Sequence, residues 1–457
     1  MTTTAPATLQ EATRRATDDV GAWASTLRWD DVPAETQDRL SLVLLDLLGV
    51  TVLGARQPEQ QALVQAWRPG TGPSPLVGGG RCTGVEAAAW LNATALVRLE
   101  LDEGNKHAAG HCAAHGFPAV LALAADLGST GEDTLAALVV AYEVSARFGR
   151  ATRLRSGAHP HGSWGVAGAA AGCARLMGLP GDRLATAVDA GAGLPVAGHF
   201  ASALDGNPVR DAWMGASNTS GLAAARMAAA GQARSTGTAA GSLGGLLGEL
   251  DPRELTDGLG ERWDIGLGYF KRHASCSFTH PVADAVLELR RSLDLTDGSM
   301  AAAEVREVVV ETHRLATGLD RACWDSRLAA MFSIPFVTAA ALVHGEVGPA
   351  VSGDDLRDDP RVLALAARVV VRAAPDLDAR LPHERAARVT VRTSAGQGTL
   401  EVPNPVGDAD HLPLDESAVV DLLTGWLDDP ATVRTLRHSV AALPTADDVG
   451  PLLRGLT

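Results

Sequence analysis

Along the first half of the chain, apolar positions recur at helical spacing or fill whole segments, and Gly or Pro punctuates the ends. "RLSLVLLDLLGVTVLGA" (39–55) is apolar on nearly every side, as expected of a helix buried inside a large helical body. "GVEAAAWLNATALVRLEL", "FPAVLALAADLG", "DTLAALVVAYEVSARFGRATRL", "GSWGVAGAAAGCARLMGL", "DRLATAVDAGAGLP" and "GASNTSGLAAARMAAAGQ" continue the theme, with Gly or Pro at or near their ends. Small residues at this density let helices approach closely, so the pattern predicts a compact helical bundle over roughly residues 1–265. "GGLLGEL" reads as a further helix and "GTAAGSLGG" as the loop leading into it.

After Lys271 the texture changes. "AAEVREVVVETHRL", "RVVVRAA" and "RAARVTVRTSAGQGTLEVPNP" carry β-branched residues, and "TVRTSAGQGTLEV" reads as a hairpin with Gly in its turn. Between them "SRLAAMFSIPFVTAAALVHG" reads as helix, and "DESAVVDLLTGWL" and "DVGPLLRGL" restore helix at the end, able to pack back on the first part. The expected architecture is mainly α: an all-α helical domain from 1–268 and 402–457, and a smaller α+β domain from 269–401.

Composition supports this picture and narrows function. A chain of 457 residues exceeds the size at which one hydrophobic core usually stops growing. Aromatics are only 4% while alanine abounds, which favours closely packed helices over sheet sandwiches. A formal charge of -15 without a long basic run argues against a nucleic-acid partner. The five cysteines are odd in number and lack C-x-x-C spacing, so a disulfide framework or structural zinc site is not expected. "MTTTAPATLQEATRRATDDV" lacks the apolar stretch of a signal peptide, and no run has the length of a membrane span. A cytoplasmic protein without a membrane partner is expected.

The candidate chemistry lies in four segments. "DEGNKHAAGHCAAHG" places His107, His111 and His115 four residues apart behind Asp102. Histidines at i and i+4 share a helix face, as in the H-E-x-x-H zinc proteases, but here the general-base Glu is absent, and Gly110 and Gly116 work against one continuous helix. Hydrogen-bonded structural histidines are the plainer alternative. A second loop, "HPHG", carries His159 and His161 ahead of a Gly- and Ala-rich helix. "GNPVRDAW" adds Arg210, and "YFKRHASCSFTHPVADA" adds Lys271, Arg272, His273 and His280. Cations and histidines suit a di- or tricarboxylate substrate: the cations anchor carboxylates, and a near-neutral base serves a C–H beside one. No P-loop, dinucleotide fingerprint or G-x-S-x-G elbow competes.

In this order the segments resemble the MmgE/PrpD family, which includes 2-methylcitrate dehydratase, cis-aconitate decarboxylase and iminodisuccinate epimerase. The resemblance runs from "LVLLDLLGVTVLGA" through "LELDEGNKHAAGHCAAHGFPAVLALA", "HPHGSWGVAGAAAGCARLMGL" and "FKRHASCSFTHPVADA" to "AAMFSIPFVTAAAL". It implies a large all-α domain with an α+β lid, a homodimer, and proton-transfer chemistry without metal or other cofactor. It further implies catalytic roles for Asp102, His111, His159 and Lys271, with Arg210 binding substrate; His107, His161 and Arg272, from the same segments, are further substrate-binding candidates. Arg210 stands where the family has a lysine, and Cys112 follows His111 where a proline is common. The decarboxylases place a tyrosine ahead of the segment resembling "LAAMFS", and this chain has none after Tyr269, which disfavours decarboxylation. The expected activity is a hydro-lyase like 2-methylcitrate dehydratase acting on a small polycarboxylate. The alternatives are an epimerase of an amino- or imino-dicarboxylate, or a non-catalytic binding protein.

Overall fold

In the computed structural model, which describes residues 8–457, the chain is mainly α. The Ala34–Ala55 helix is buried on every side along its second half, from Val43 to Gly54, as its apolar sequence requires. It packs against the Val85–Val97 helix. The approach is close: a Cβ at Gly54 would lie 1.8 Å from the carbonyl oxygen of Ala95, so only glycine lets these backbones meet. The Cys112–Leu127, Gly131–Ala151, Val166–Leu176, Gly181–Ala192 and Val209–Ala229 helices complete the bundle. Thr130 caps one of them by accepting a hydrogen bond from the Asp133 N–H, and Gly128 ends another in the left-handed region at φ 62°.

One apolar core runs through these helices and takes in Val419, Leu423, Leu427 and Leu436, so the carboxy-terminal helices do return to the first part. A second core forms around a four-stranded sheet in the order Gln397–Val402, Ala387–Thr393, Val305–Thr312, Val369–Ala373. The last pair is parallel and the others antiparallel, with Val309 opposite both Thr390 and Val370. Alternation places Ala387, Val389 and Val391 on the buried face, toward the His280–Ser292 helix.

Several local expectations need correction. The amino-terminal part is not purely α: it holds the pairs Ser74–Leu76 with Arg81–Thr83, Gly104–Asn105 with Gly268–Tyr269, and Thr152–Leu154 with Gly248–Leu250. Helix comes earlier than expected here: "GTAAGSLGG" is not a loop throughout but enters helix at Ala239–Gly241 and continues as a π-helix over Ser242–Leu247, so only the first part of "GGLLGEL" is helical, and Gly248–Leu250 is a strand in which Gly248 pairs with Leu154 where a side chain would strike the Arg153 carbonyl. "SRLAAMFSIPFVTAAALVHG" is two helices, Arg327–Met331 and Ile334–His344. The break comes where Ser333 caps the second helix and Pro335 stands in its first turn. No helix among the described residues is long and apolar enough to cross a membrane. The domain expectation for residues 1–7 lies outside the described residues.

Candidate active site

The first functional segment follows the Val85–Val97 helix, where Glu100 takes a left-handed backbone, φ 52°, and the chain turns through Asp102 and Glu103. Asn105 and Gly110 then exchange backbone hydrogen bonds, closing a tight loop, and the next helix starts at Cys112. His107, His111 and His115 therefore do not share one helix. His111 stands at the helix entrance, His115 lies inside and His107 sits on the loop.

His111 Nδ1 is 2.8 Å from the main-chain oxygen of Glu103 and 3.1 Å from Asp102 Oδ2. A carbonyl only accepts, so Nδ1 carries the hydrogen and the lone pair of the neutral ring lies on Nε2. Burial lowers the His111 pKa from its usual value while Asp102 works to raise it. Burial would raise the Asp102 carboxyl, but His111 and Lys271 outweigh it and hold it below the ordinary range.

His159 and His161 come from the loop before the Val166–Leu176 helix, which is anchored by the His159 N–H on the Gly198 carbonyl at 2.9 Å. Their rings lie 4.5 Å apart, and His161 is 5.2 Å from His111. The backbone N–H of His161 donates to His159 Nδ1 at 3.1 Å, so the neutral His159 ring carries its hydrogen on Nε2, the reverse of His111. Burial and then Arg210 hold both His159 and His161 far below the normal histidine range. Phe200 stacks on His159 at 5.3 Å and Trp213 packs beside it at 5.2 Å.

The two cations complete the cluster. Arg210, on the first turn of the Val209–Ala229 helix, is fully buried and reaches the Val97 carbonyl at 2.9 Å, Asp211 at 2.8 Å, Glu100, and His161 Nε2 at 3.4 Å. Lys271, also fully buried, follows the strand pair Gly104–Asn105 with Gly268–Tyr269, which brings its ammonium 3.1 Å from Glu100 and 3.4 Å from Asp102. Burial opposes its charge, but Asp102 and Glu100 hold its pKa above the usual lysine value.

Six of the eight residues given roles above, namely Asp102, His111, His159, His161, Arg210 and Lys271, meet in one buried cluster. The remaining two are engaged in other contacts. His107 packs on His383 at 5.9 Å, and Arg272 turns to Asp284 at 3.4 Å. His115 is buried on Ser217 at 2.8 Å, a structural contact. Glu100, Asp211, Phe200, Trp213 and Phe332 are further members that the sequence did not reveal. Glu100 is masked by an apolar run, although an acid beside Asp102 was the available hint. One donor atom each from Asp102, His111 and His161 lies within 4.8 Å of the others, so these three could hold a cation, although the Lys271 ammonium already supplies positive charge to Asp102. Two surface clefts, of about 290 Å³ and 610 Å³, lie elsewhere, beside Arg56 and Asp429 and beside Arg183 and Arg234.

Chemically, the cluster offers a ring nitrogen lone pair backed by a carboxylate, a second ring with an N–H, and two buried cations. A cis-aconitate decarboxylase of Aspergillus terreus is 27% identical over 470 residues, covering 96% of this chain and 95% of that protein. The cis-aconitate decarboxylase-like protein oryM of Aspergillus oryzae is 25% identical over 463 residues, covering 94% and 95%. Residues 18–249 match the MmgE/PrpD N-terminal domain and residues 273–421 the MmgE/PrpD C-terminal domain, so the chain belongs to the MmgE/PrpD family.

Proposed function

We propose that this chain is a lyase or isomerase that removes a proton next to a carboxylate of a small polycarboxylate, acting as a hydro-lyase in the manner of 2-methylcitrate dehydratase. The observation that carries the reading is the opposite proton placement on two neighbouring histidines, His111 with its lone pair on Nε2 and His159 with its hydrogen there. His111 Nε2 takes the proton, and the Asp102 carboxylate stabilises the imidazolium that forms. Lys271 and the Nε–H of Arg210 offset the charge that develops on the substrate carboxylate. The C–H electron pair becomes the new C=C bond as β-hydroxide leaves on a hydrogen bond from His159 Nε2–H. The proton taken by His111 then neutralises the hydroxide, so water is lost and His111 ends neutral.

The A. terreus relative is named for decarboxylation of cis-aconitate. Dehydration is preferred here because the segment ahead of Leu328 carries Trp324 and no tyrosine hydroxyl. Epimerisation of an amino- or imino-dicarboxylate shares the first step, and the proton on His159 favours it as the second reading. The same reading divides the chain into 1–268 with 402–457 and 269–401, a division that the two apolar cores support.

The test is proton NMR of chelator-treated protein in deuterated water with 2-methylcitrate, citrate, cis-aconitate, iminodisuccinate and simpler hydroxy-dicarboxylates. Deuterium entering beside a carboxylate, abolished in His111→Ala, is the expected result. No exchange in any acid would sink the catalytic reading in favour of a binding protein.

A further inference from the structure

The peptide group that orients His111 is held in turn by the side chain of the same residue. Glu103 is buried, and its two carboxylate oxygens take two different donors: Oε1 accepts from the Tyr142 hydroxyl at 2.5 Å and Oε2 from the Ala113 N–H at 3.2 Å. Ala113 lies in the first turn of the Cys112–Leu127 helix, two residues after His111. Glu103 therefore grips the base twice: its main-chain oxygen takes the ring Nδ1–H, and its side chain takes the start of the helix that carries the ring. Tyr142 supplies the fixed point. It stands within the Gly131–Ala151 helix, fully buried, with its ring edge-on to Phe117 at 6.3 Å.

The hydroxyl–carboxylate contact is closed over by the strand Gly268–Tyr269. A Cβ on Gly268 would lie 2.9 Å from the Tyr142 hydroxyl oxygen and 3.2 Å from Glu103 Oε1, so the strand rests on the pair with no room for a side chain. Lys271, two residues beyond this strand, has anchors of its own in Glu100 and Asp102, and Arg39 holds the Gly268 carbonyl at 2.8 Å. Loss of the Tyr142 hydroxyl is therefore felt by His111 rather than by the cation. The effect on a reaction would be large for so small a change, since displacing a reacting group by about 1 Å can cost about 10²-fold in rate.

Resting on the reading of His111 as the base, we propose that Glu103 and Tyr142 are positioning residues: the Tyr142 hydroxyl holds the Glu103 carboxylate, which fixes the Glu103 peptide and with it the Nδ1–H tautomer of His111 and the aim of Nε2.

The experiment compares the wild type with Tyr142→Phe, Glu103→Ala and Glu103→Gln by two readouts. One is kcat and KM for deuterium entry into the acid that the wild type exchanges; the other is the nitrogen-15 ring signals of His111 in histidine-labelled protein, assigned with His111→Asn. Tyr142→Phe and Glu103→Ala should lower kcat about tenfold or more with KM held within about twofold, and the His111 signals should pass from a single Nδ1–H tautomer to a mixture. Glu103→Gln should recover most of the rate, because its amide can accept from the Ala113 N–H and donate to the Tyr142 oxygen. A wild-type kcat or an unchanged His111 tautomer in Tyr142→Phe overturns the proposal, as does a Glu103→Gln no faster than Glu103→Ala. If Glu103→Ala does not fold, judged by circular dichroism, Tyr142→Phe decides alone. Absence of exchange by the wild type with every acid would remove the catalytic reading, and the tautomer of His111 in Tyr142→Phe would then decide this proposal by itself.

Discussion

The imidazole of His111 rests its Nδ1–H on the main-chain carbonyl of Glu103 at 2.8 Å, with the Asp102 carboxylate 3.1 Å from the same nitrogen. The orientation of the ring is set by a peptide group rather than by a side chain, so substitutions at Asp102 alter its basicity while leaving this hydrogen bond in place. Replacing His111 by alanine should slow exchange beside the carboxylate by about 10²–10⁴-fold, measured by NMR in deuterated water. The base must be neutral to act, and burial lowers its pKa from 6.5, so the acid limb of the kcat/KM profile should fall below pH 6.5. Asp102→Asn removes a charge that raises that pKa, and the limb should move to still lower pH as the rate drops.

Lys271→Met should unfold at lower urea as well as lose exchange. Without the ammonium, Glu100 and Asp102 are left as buried carboxylates that share no cation at this point. Breaking a buried pair in this way costs about 3–5 kcal/mol.

Glu143 should make stability pH-dependent. Its carboxylate accepts from the backbone N–H groups of Asp264 at 2.9 Å and Ile265 at 3.0 Å, yet burial and then Asp264 push its pKa from 4.5 to about 7. A carboxyl raised on folding adds stability that is complete below its unfolded pKa and lost as pH climbs through the folded one. Between about pH 5 and pH 8, the thermal midpoint of the wild type should therefore fall relative to that of Glu143→Gln. Parallel slopes in differential scanning fluorimetry would refute this.

Gly54→Ala should destabilise by about 1–3 kcal/mol or more, because the added methyl meets the Ala95 carbonyl. Gly266→Ala, with nothing within 4 Å of the added carbon, is the control and should stay within about 0.5 kcal/mol in chemical denaturation.

Prolonged chelation should leave exchange intact, and added zinc should inhibit it by capturing Asp102, His111 and His161, whose donor atoms lie within 4.8 Å of one another. Loss of activity on chelation with recovery on metal addition would reverse the assignment of His111 as a free base.

Much of this was readable from residue types. His111, His159, His161, Arg210 and Lys271 announce themselves because histidine and cations are scarce in long Ala- and Gly-rich stretches, and the change to β-branched residues near 270 marks the sheet. His107 stays apart from the cluster because Asn105 and Gly110 pair to close a loop, Ala109 sits at φ 54°, and the ring packs on His383, a contact that no local sequence pattern signals. Arg272 misleads because it follows Lys271 in sequence yet turns to Asp284. The two- and three-residue strand pairs are too short to show alternation, so the pairing that delivers Lys271 to Asp102 left no trace in the pattern.

The parts of the site also have separate origins along the chain. Asp102, Glu103 and His111 lie within one short stretch, while Phe200, Arg210 and Phe332, the aromatic and cationic wall, arrive from distant segments. Phe200 and Phe332 make no hydrogen bond to the stretch that holds His111, so these two positions can change without touching the peptide contact that orients the ring. A scaffold arranged in this way can acquire a new acid as substrate by inheritance of an unchanged reactive centre.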